Sequence, residues 1–292
     1  MPPALHGTGL FSAKPAAVTF VPAACATGLR FVVDGAVVPA LVDHVTTDTS
    51  WSGLPAGFPV RNTTLRSGNA ARPVATTEHV MSALAGLGLW HMDVHLDGVE
   101  CPILDGSAAG LVDALGSFPA SVPTPPLVLT RRVEVRDDRG ASIVGEPLGK
   151  GERARYTYEL EYGATSPVRP QAASWDLSRS TYISDVAPAR TFSLLAEVEA
   201  ARRAGLFAHL TPRDMLVVGD DGQPIDNEWR FPDAECVSTE PARHKLLDLI
   251  GDLALLGRPL HARVVARRSG HALTHQFCRA VLASETGRGL AT

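Results

Sequence analysis

The chain has 292 residues, 45% hydrophobic and 20% charged, a globular balance that supplies a full core for one large domain or two ordinary ones. Its formal net charge of −4 excludes the global basic field that recruits nucleic acid. Cys25, Cys101, Cys236 and Cys278 are scattered without a CxxC pair, no apolar run can span a bilayer, and Met1-Pro2-Pro3-Ala4-Leu5-His6 lacks a signal-peptide pattern, so a cytoplasmic protein is expected.

The first third reads as short strands broken by glycine and proline. Residues 17–21 and 29–33 are β-rich, and Asp34-Gly35 marks a turn into 36–38. Thr63-Thr64-Leu65 suggests another strand. A helix starts at Thr76 or Thr77, both good N-cap residues, and carries Val80, Met81, Leu84 and Leu87 at helical spacing until Gly86 and Gly88. Residues 91–96 alternate as a strand, and Asp105-Gly106-Ser107 turns into a helix over 108–115.

Four prolines (Pro119, Pro123, Pro125, Pro126) mark a linker, dividing the chain into 1–122 and 127–292. Strand patterns resume at 127–135, 141–144 and 155–162. A helix is predicted over 192–204, stopped by Gly205, followed by an irregular stretch to about 240. A long helix around 243–252, a strand over 262–266 and a final helix to about 284 complete the chain. Each half thus holds several strands and two helices, too irregular an alternation for a parallel sheet, so the fold class is α+β. No short repeat is visible, so any likeness between the halves must be structural.

The long helix places His244, Asp248 and Asp252 at i, i+4 and i+8 amid Leu246, Leu247, Leu249, Ile250 and Leu253. A neutral imidazole and a carboxylate one turn apart can both reach one divalent ion; the plainer reading is a His–Asp contact on a polar helix edge. Glu78 and His79 open the first helix, as general base and third ligand, or as an acidic helix start beside an incidental histidine. Ser269-Gly270-His271 sits at a strand-to-helix junction, where glycine allows a sharp turn and histidine trades protons near neutrality; a structural histidine is the alternative. Thr191 is either an oxyanion donor or an N-cap. Lys245 is either an anion contact or a solvated lysine. His6, His44, His91, His95, His209, His261 and His275 have no partner spacing and are read as structural.

Several stretches together resemble one family. Residues 75–88 (Ala-Thr-Thr-Glu-His-Val-Met-Ser-Ala-Leu-Ala-Gly-Leu-Gly) are similar to the first signature of the UDP-3-O-acyl-N-acetylglucosamine deacetylases, zinc enzymes of lipid A biosynthesis. Residues 102–109, 189–192, 243–252 and 269–273 match further blocks in the same order, and 7–15 resemble the start. The resemblance implies two similarly layered α/β sandwich domains with the active site between their helical layers. It implies zinc on His79, His244 and Asp248 with a position left for water, although Fe(II) suits the same ligands. Glu78 would be the general base. Thr191 and a protonated His271 would hold the oxyanion, Asp252 would orient His271, and Lys245 and Phe192 would meet substrate. The implied partner is an acylated nucleotide sugar, with weak inner-membrane association through its fatty chain and a monomeric enzyme.

The match departs at 206–242, where Phe207-Ala208-His209-Leu210 replaces a glycine-rich turn and residues 237–241 are inserted. Phe11 replaces a histidine, Ser193 a glycine, and Thr274-His275 an asparagine pair. These changes bear on substrate grip rather than hydrolysis. Two other readings stand beside the deacetylase: a divergent zinc amidase acting on another N-acylated sugar, and a metal-binding scaffold without catalysis.

Overall fold

A computed structural model describes residues 4–285 apart from 25, 56, 69, 120–122 and 233–237. Cys25, Cys236, Val237 and the middle of the proline linker therefore lie outside the described residues, whereas Cys101 and Cys278 are buried free thiols.

In the first half, β1 (Leu5–Thr8), β2 (Pro15–Pro22), β3 (Leu29–Val33) and β4 (Ala36–Pro39) precede α1 (Glu78–Gly86), β5 (Met92–Asp97) and α2 (Ala109–Leu115). Alternation decides the faces: Val18 and Phe20, Phe31 and Val33, and Val94 and Leu96 point into the core. Asp34 and Gly35 both take left-handed φ in the β3–β4 turn, as the Asp-Gly signal predicts. The sheet order is β1-β2-β5-β3-β4, antiparallel except for the β3–β5 pair.

The second half begins with β6 (Leu127–Val128), β7 (Val133–Arg136), β8 (Ser142–Glu146), β9 (Arg155–Leu160) and β10 (Gln171–Trp175). Next come α3 (Arg179–Thr181) running into a π turn at Tyr182–Val186, β11 (Phe192–Leu194), α4 (Leu195–Arg203) and β12 (Leu216–Val218). The chain then forms α5 (Glu240–Leu253), β13 (Leu260–His261), β14 (Arg263–Arg267) and α6 (His271–Glu285). The main sheet runs β7-β8-β14-β9-β10, antiparallel except for β9–β14.

The two halves follow one path. Four strands, a helix, a central fifth strand and a second helix give the strand order 1-2-5-3-4 in both, with the single parallel pair in the same place. Thus α1 corresponds to α5 and α2 to α6. Each half also carries an insertion between its fourth strand and its first helix: residues 40–77 in the first, 176–239 in the second. The α+β reading holds, with two similarly layered halves.

The equivalent helices α1 and α5 pack against each other. All nine residues of α1 are buried, because one side meets its own sheet and the other meets α5. The approach is close because Gly251 faces α1: a Cβ there would stand 2.0 Å from the Glu78 carbonyl oxygen. At the far end of α1, Gly86 lies under the Tyr182 ring, whose hydroxyl is 2.9 Å from Ser82 Oγ.

Some local expectations fail for tertiary reasons. The predicted strand 127–135 splits, because β6 pairs in parallel with β13 while β7 pairs with β8. The predicted helix at 192 starts three residues late, because Phe192–Leu194 pairs with the fully buried β12. Residues 63–65 form no strand beyond isolated bridges at Leu65.

Candidate active site

Where α1 crosses α5, His79, His244 and Asp248 converge, all buried, with one ligand atom from each lying within 4.8 Å of the others. His244 Nε2 is 3.4 Å and His79 Nε2 3.6 Å from Asp248 Oδ1. These separations are too long for good hydrogen bonds. They match the roughly 3.3 Å edge of a tetrahedron whose ligands each stand about 2.05 Å from a zinc-sized ion. The second atoms are already committed. His244 Nδ1–H donates to the Ala189 carbonyl at 3.1 Å, which turns the Nε2 lone pair toward the cluster. Lys245 Nζ holds Asp248 Oδ2 at 2.6 Å.

The electrostatics suit a cation. Burial pushes the His244 pKa down to about 4 against the pull of Asp248, leaving a neutral imidazole. Burial alone would raise Asp248, yet the Lys245 ammonium holds it well below the usual carboxylate range. Two imidazoles and a carboxylate with no neutral alternative partner fit a divalent metal. The residues present could thus hold a divalent metal, and because three ligands converge among the described residues, they fit a catalytic rather than a closed structural centre.

Glu78 and His271 flank this cluster. His271 Nε2 is 4.0 Å from Glu78 Oε1 and 4.0 Å from Asp248 Oδ2. Glu78 is 4% exposed, and burial raises its pKa against the pull of His271 and His79. Its Oε2 accepts the Thr63 N–H at 3.0 Å. His271 Nδ1–H donates to Asp252 Oδ2 at 2.8 Å. Burial would lower His271, but Asp252, then Glu78 and Asp248, raise it to about 9. Asp252 is itself held far below its ordinary value, because His271 and His275 overcome its burial. A carboxyl group raised by burial and an imidazolium kept charged thus face one another beside His79, His244 and Asp248.

The launch of α1 explains part of this precision. Thr76 adopts φ +54°, a genuine outlier for a β-branched residue. Its hydroxyl donates to buried Glu100 at 2.8 Å and accepts from Asn62 at 3.0 Å, which fixes the turn delivering Glu78 and His79. Segment 189–192 is held as firmly. Arg190 donates to Glu240 Oε1 at 2.8 Å, both side chains being buried, and to Asn227 Oδ1 at 2.8 Å. Thr191 N–H donates to the Gly106 carbonyl at 2.7 Å, and its carbonyl accepts from Leu216 at 2.9 Å.

Several expectations need correction. Thr191 is not an N-cap; it leads into β11, and Leu194 caps α4. Gly270 is not required for its turn: a Cβ there meets nothing within 4 Å, and the left-handed φ belongs to Arg268. Lys245 is neither free nor simply solvated, being paired with Asp248 while lining a cleft. His275 is not remote. Its Nε2 lies 3.5 Å from Asp252 Oδ1 and 3.0 Å from Thr63 Oγ1, so the change at 274–275 does reach the acid–base residues. Thr63 was missed outright. His275 stands one turn from His271 on α6, a spacing that could have flagged it.

Two clefts lie beside the site, the first lined largely by the two insertions, the second by part of the first insertion and by residues of the second half outside its insertion. One, of about 570 Å³, is mainly apolar, with Leu10, Phe11, Phe58, Val198 and Phe207 in its walls alongside Thr191 and Phe192. The departures Phe11 and Phe207 stack edge to face here at 6.0 Å. The other, of about 640 Å³, is the more polar of the two, its lining including Lys245, Tyr158, Arg268 and His271, with the partnerless buried Ser269 hydroxyl. Arg61 borders both. Among the described residues no helix is long and apolar enough to cross a membrane.

Comparison with known proteins agrees with this geometry. The UDP-3-O-acyl N-acetylglycosamine deacetylase family profile matches residues 2–283. A UDP-3-O-acyl-N-acetylglucosamine deacetylase of Myxococcus xanthus is 34% identical over 286 residues, covering 95% of this chain and 83% of that protein. Proteins of the same name from Citrifermentans bemidjiense and Leptospira biflexa are 34% and 32% identical. They cover 94% and 98% of this chain and 85% and 89% of their own lengths.

Proposed function

Since the chain belongs to the UDP-3-O-acyl-N-acetylglucosamine deacetylase family, we propose that it hydrolyses the N-acetyl group of UDP-3-O-acyl-N-acetylglucosamine for lipid A biosynthesis at the α1–α5 crossing. The observation that carries this reading is the convergence of His79, His244 and Asp248 between an ionisable base and a charged imidazole. We take the metal to be zinc, with Fe(II) the alternative for these ligands. A divalent ion held there supplies Lewis acidity and brings the pKa of a water toward neutrality.

The chain's own residues do the rest. Glu78, with Oε2 anchored by Thr63, presents Oε1 to take the proton of the attacking water. His271 offers its Nε2–H to the oxyanion that develops on the acetyl carbonyl, Asp252 keeps that imidazole charged and oriented, and the C–N bond breaks as Glu78 or His271 hands a proton to the departing amine. Thr191, in the wall of the apolar cleft, would add its hydroxyl to the oxyanion. That cleft, with Phe192 in its wall, suits the acyl chain, while the polar cleft with Lys245, Arg61 and Arg268 suits the nucleotide sugar. Residues 1–122 and 127–292 serve as two domains, each supplying part of the site. We read the protein as a cytoplasmic monomer that touches the membrane only weakly.

Purified, zinc-loaded protein offered UDP-3-O-acyl-N-acetylglucosamine and the un-acylated nucleotide sugar tests this. Acetate release from the acylated substrate alone supports the proposal. Equal turnover of both would indicate a broader amidase, and no turnover with zinc bound would sink it.

A further inference from the structure

Thr63 stands in the first insertion, 1% exposed, and serves both sides of the site. Its backbone belongs to the base. The N–H donates to Glu78 Oε2 at 3.0 Å, and the carbonyl accepts from Thr77 N–H at 3.1 Å and Thr77 Oγ1 at 3.2 Å. Its side chain belongs to the acid. The hydroxyl lies 2.5 Å from Asp252 Oδ1 and 3.0 Å from His275 Nε2.

A hydroxyl has one proton to give, and an ionised carboxylate can only accept, so that proton goes to Asp252 and the His275 ring donates back to Thr63. Asp252 Oδ2 takes the His271 Nδ1–H at 2.8 Å. Both carboxylate oxygens are then fixed, one by each half of the molecule. Without the hydroxyl, Oδ1 retains among the described residues His275 at 3.5 Å, too long to hold it, and the carboxylate is free to rotate away from His271.

We propose that Thr63 is a positioning residue for the deacetylation, locking the Asp252–His271 pair of one half at a fixed distance from the Glu78 base of the other. The proposal rests on the deacetylase reading of the site. It assigns Thr63 no contact with metal or substrate, so its loss should lower kcat while leaving KM and metal content alone.

The test compares Thr63→Val, which keeps shape and backbone amide but removes the hydroxyl, with Thr63→Ser, which keeps the hydroxyl. Thr63→Val should lose about ten- to a hundredfold in kcat, with KM within about twofold and one zinc per chain, and Thr63→Ser should stay within about threefold of wild type. If Thr63→Val does not fold, Thr63→Ala, which adds no bulk, takes its place. A wild-type kcat in Thr63→Val, loss of metal, or failure of Thr63→Ser to restore the rate would each overturn the proposal. A second readout does not need turnover. In histidine-labelled, zinc-loaded protein the downfield Nδ1 proton of His271 should be retained in Thr63→Ser and moved or broadened in Thr63→Val. An unmoved resonance in Thr63→Val refutes the positioning role even if the wild type proves inactive on the proposed substrate, an outcome that counts against the deacetylase reading alone.

Discussion

Gly251→Ala tests whether the closeness of α1 and α5 sets the metal geometry. In an ordinary helix interior this change stabilises by about 0.8–1.0 kcal/mol, because alanine loses less backbone entropy. Here the new Cβ would lie 2.0 Å from the Glu78 carbonyl oxygen and 2.8 Å from its carbon, both backbone atoms that cannot rotate aside. Relief requires the helices to part by about 1 Å, and overpacking of this kind sits near the upper end of its usual cost, about 3 kcal/mol. The clash wins by about 2 kcal/mol, which lowers Tm by roughly 3 °C for a chain of this size. Moving His79 off by that much takes Nε2 beyond the roughly 4.1 Å that two ligands of one ion can span. Zinc affinity should then fall about 10- to 100-fold. Competition with a chelator reads the affinity, and calorimetry of the metal-free protein reads the clash alone. Gly270→Ala, with open space around its Cβ, is the control. A variant that binds zinc normally and melts at or above wild type would refute the reasoning, because helix propensity alone would then account for the change.

Glu78→Ala should lower kcat by about 10²–10⁴-fold with zinc content intact; loss of metal would make Glu78 a ligand instead of a base. Asp248→Ala should lose zinc, measured by metal analysis after dialysis, and undiminished zinc would remove Asp248 from the ligand set. The rate should fall as pH rises through about 9, where His271 loses the proton that Asp252 helps it keep, and fall on the acid side where Glu78, raised by burial, protonates. An alkaline limb that persists in His271→Ala would assign it to another group. The His271–Asp252 pair also links stability to pH. His271, raised in the fold, contributes fully below its unfolded value of about 6.5 and loses that contribution as pH passes about 9. Asp252, lowered in the fold, contributes above about 3.8 and loses that contribution as pH falls toward its depressed value. Chemical denaturation at pH 7 and pH 10 should show the alkaline loss.

What the sequence revealed was local. His244 and Asp248 are legible because one helical turn brings them together without help from the rest of the fold. Glu78 and His79 needed more, since nothing in their spacing points toward α5; the family resemblance paired them. Thr63 was illegible because its segment reads only as a short strand, and its partners stand on α5 and α6, 189 and 212 residues away. The duplicated architecture was invisible for a related reason. A shared strand order constrains which faces are apolar, not which apolar residues fill them, so Phe31 and Tyr158 can occupy inward faces without sequence likeness. Thr191 misled for the opposite reason: a threonine before a helical pattern is a fair cap signal, and only the pairing of β11 with β12 overrides it.

The ligands are divided unequally between the corresponding helices, one on α1 and two on α5. In the unfolded chain His79 and His244 are separated by 165 positions, so neither half alone can assemble the set. An ion that binds only the assembled pair stabilises that assembly by mass action, about 4 kcal/mol at a thousandfold excess over Kd. A metal held there would in this sense be a fastening as well as a reagent. Its removal would then loosen the junction between the two layered units.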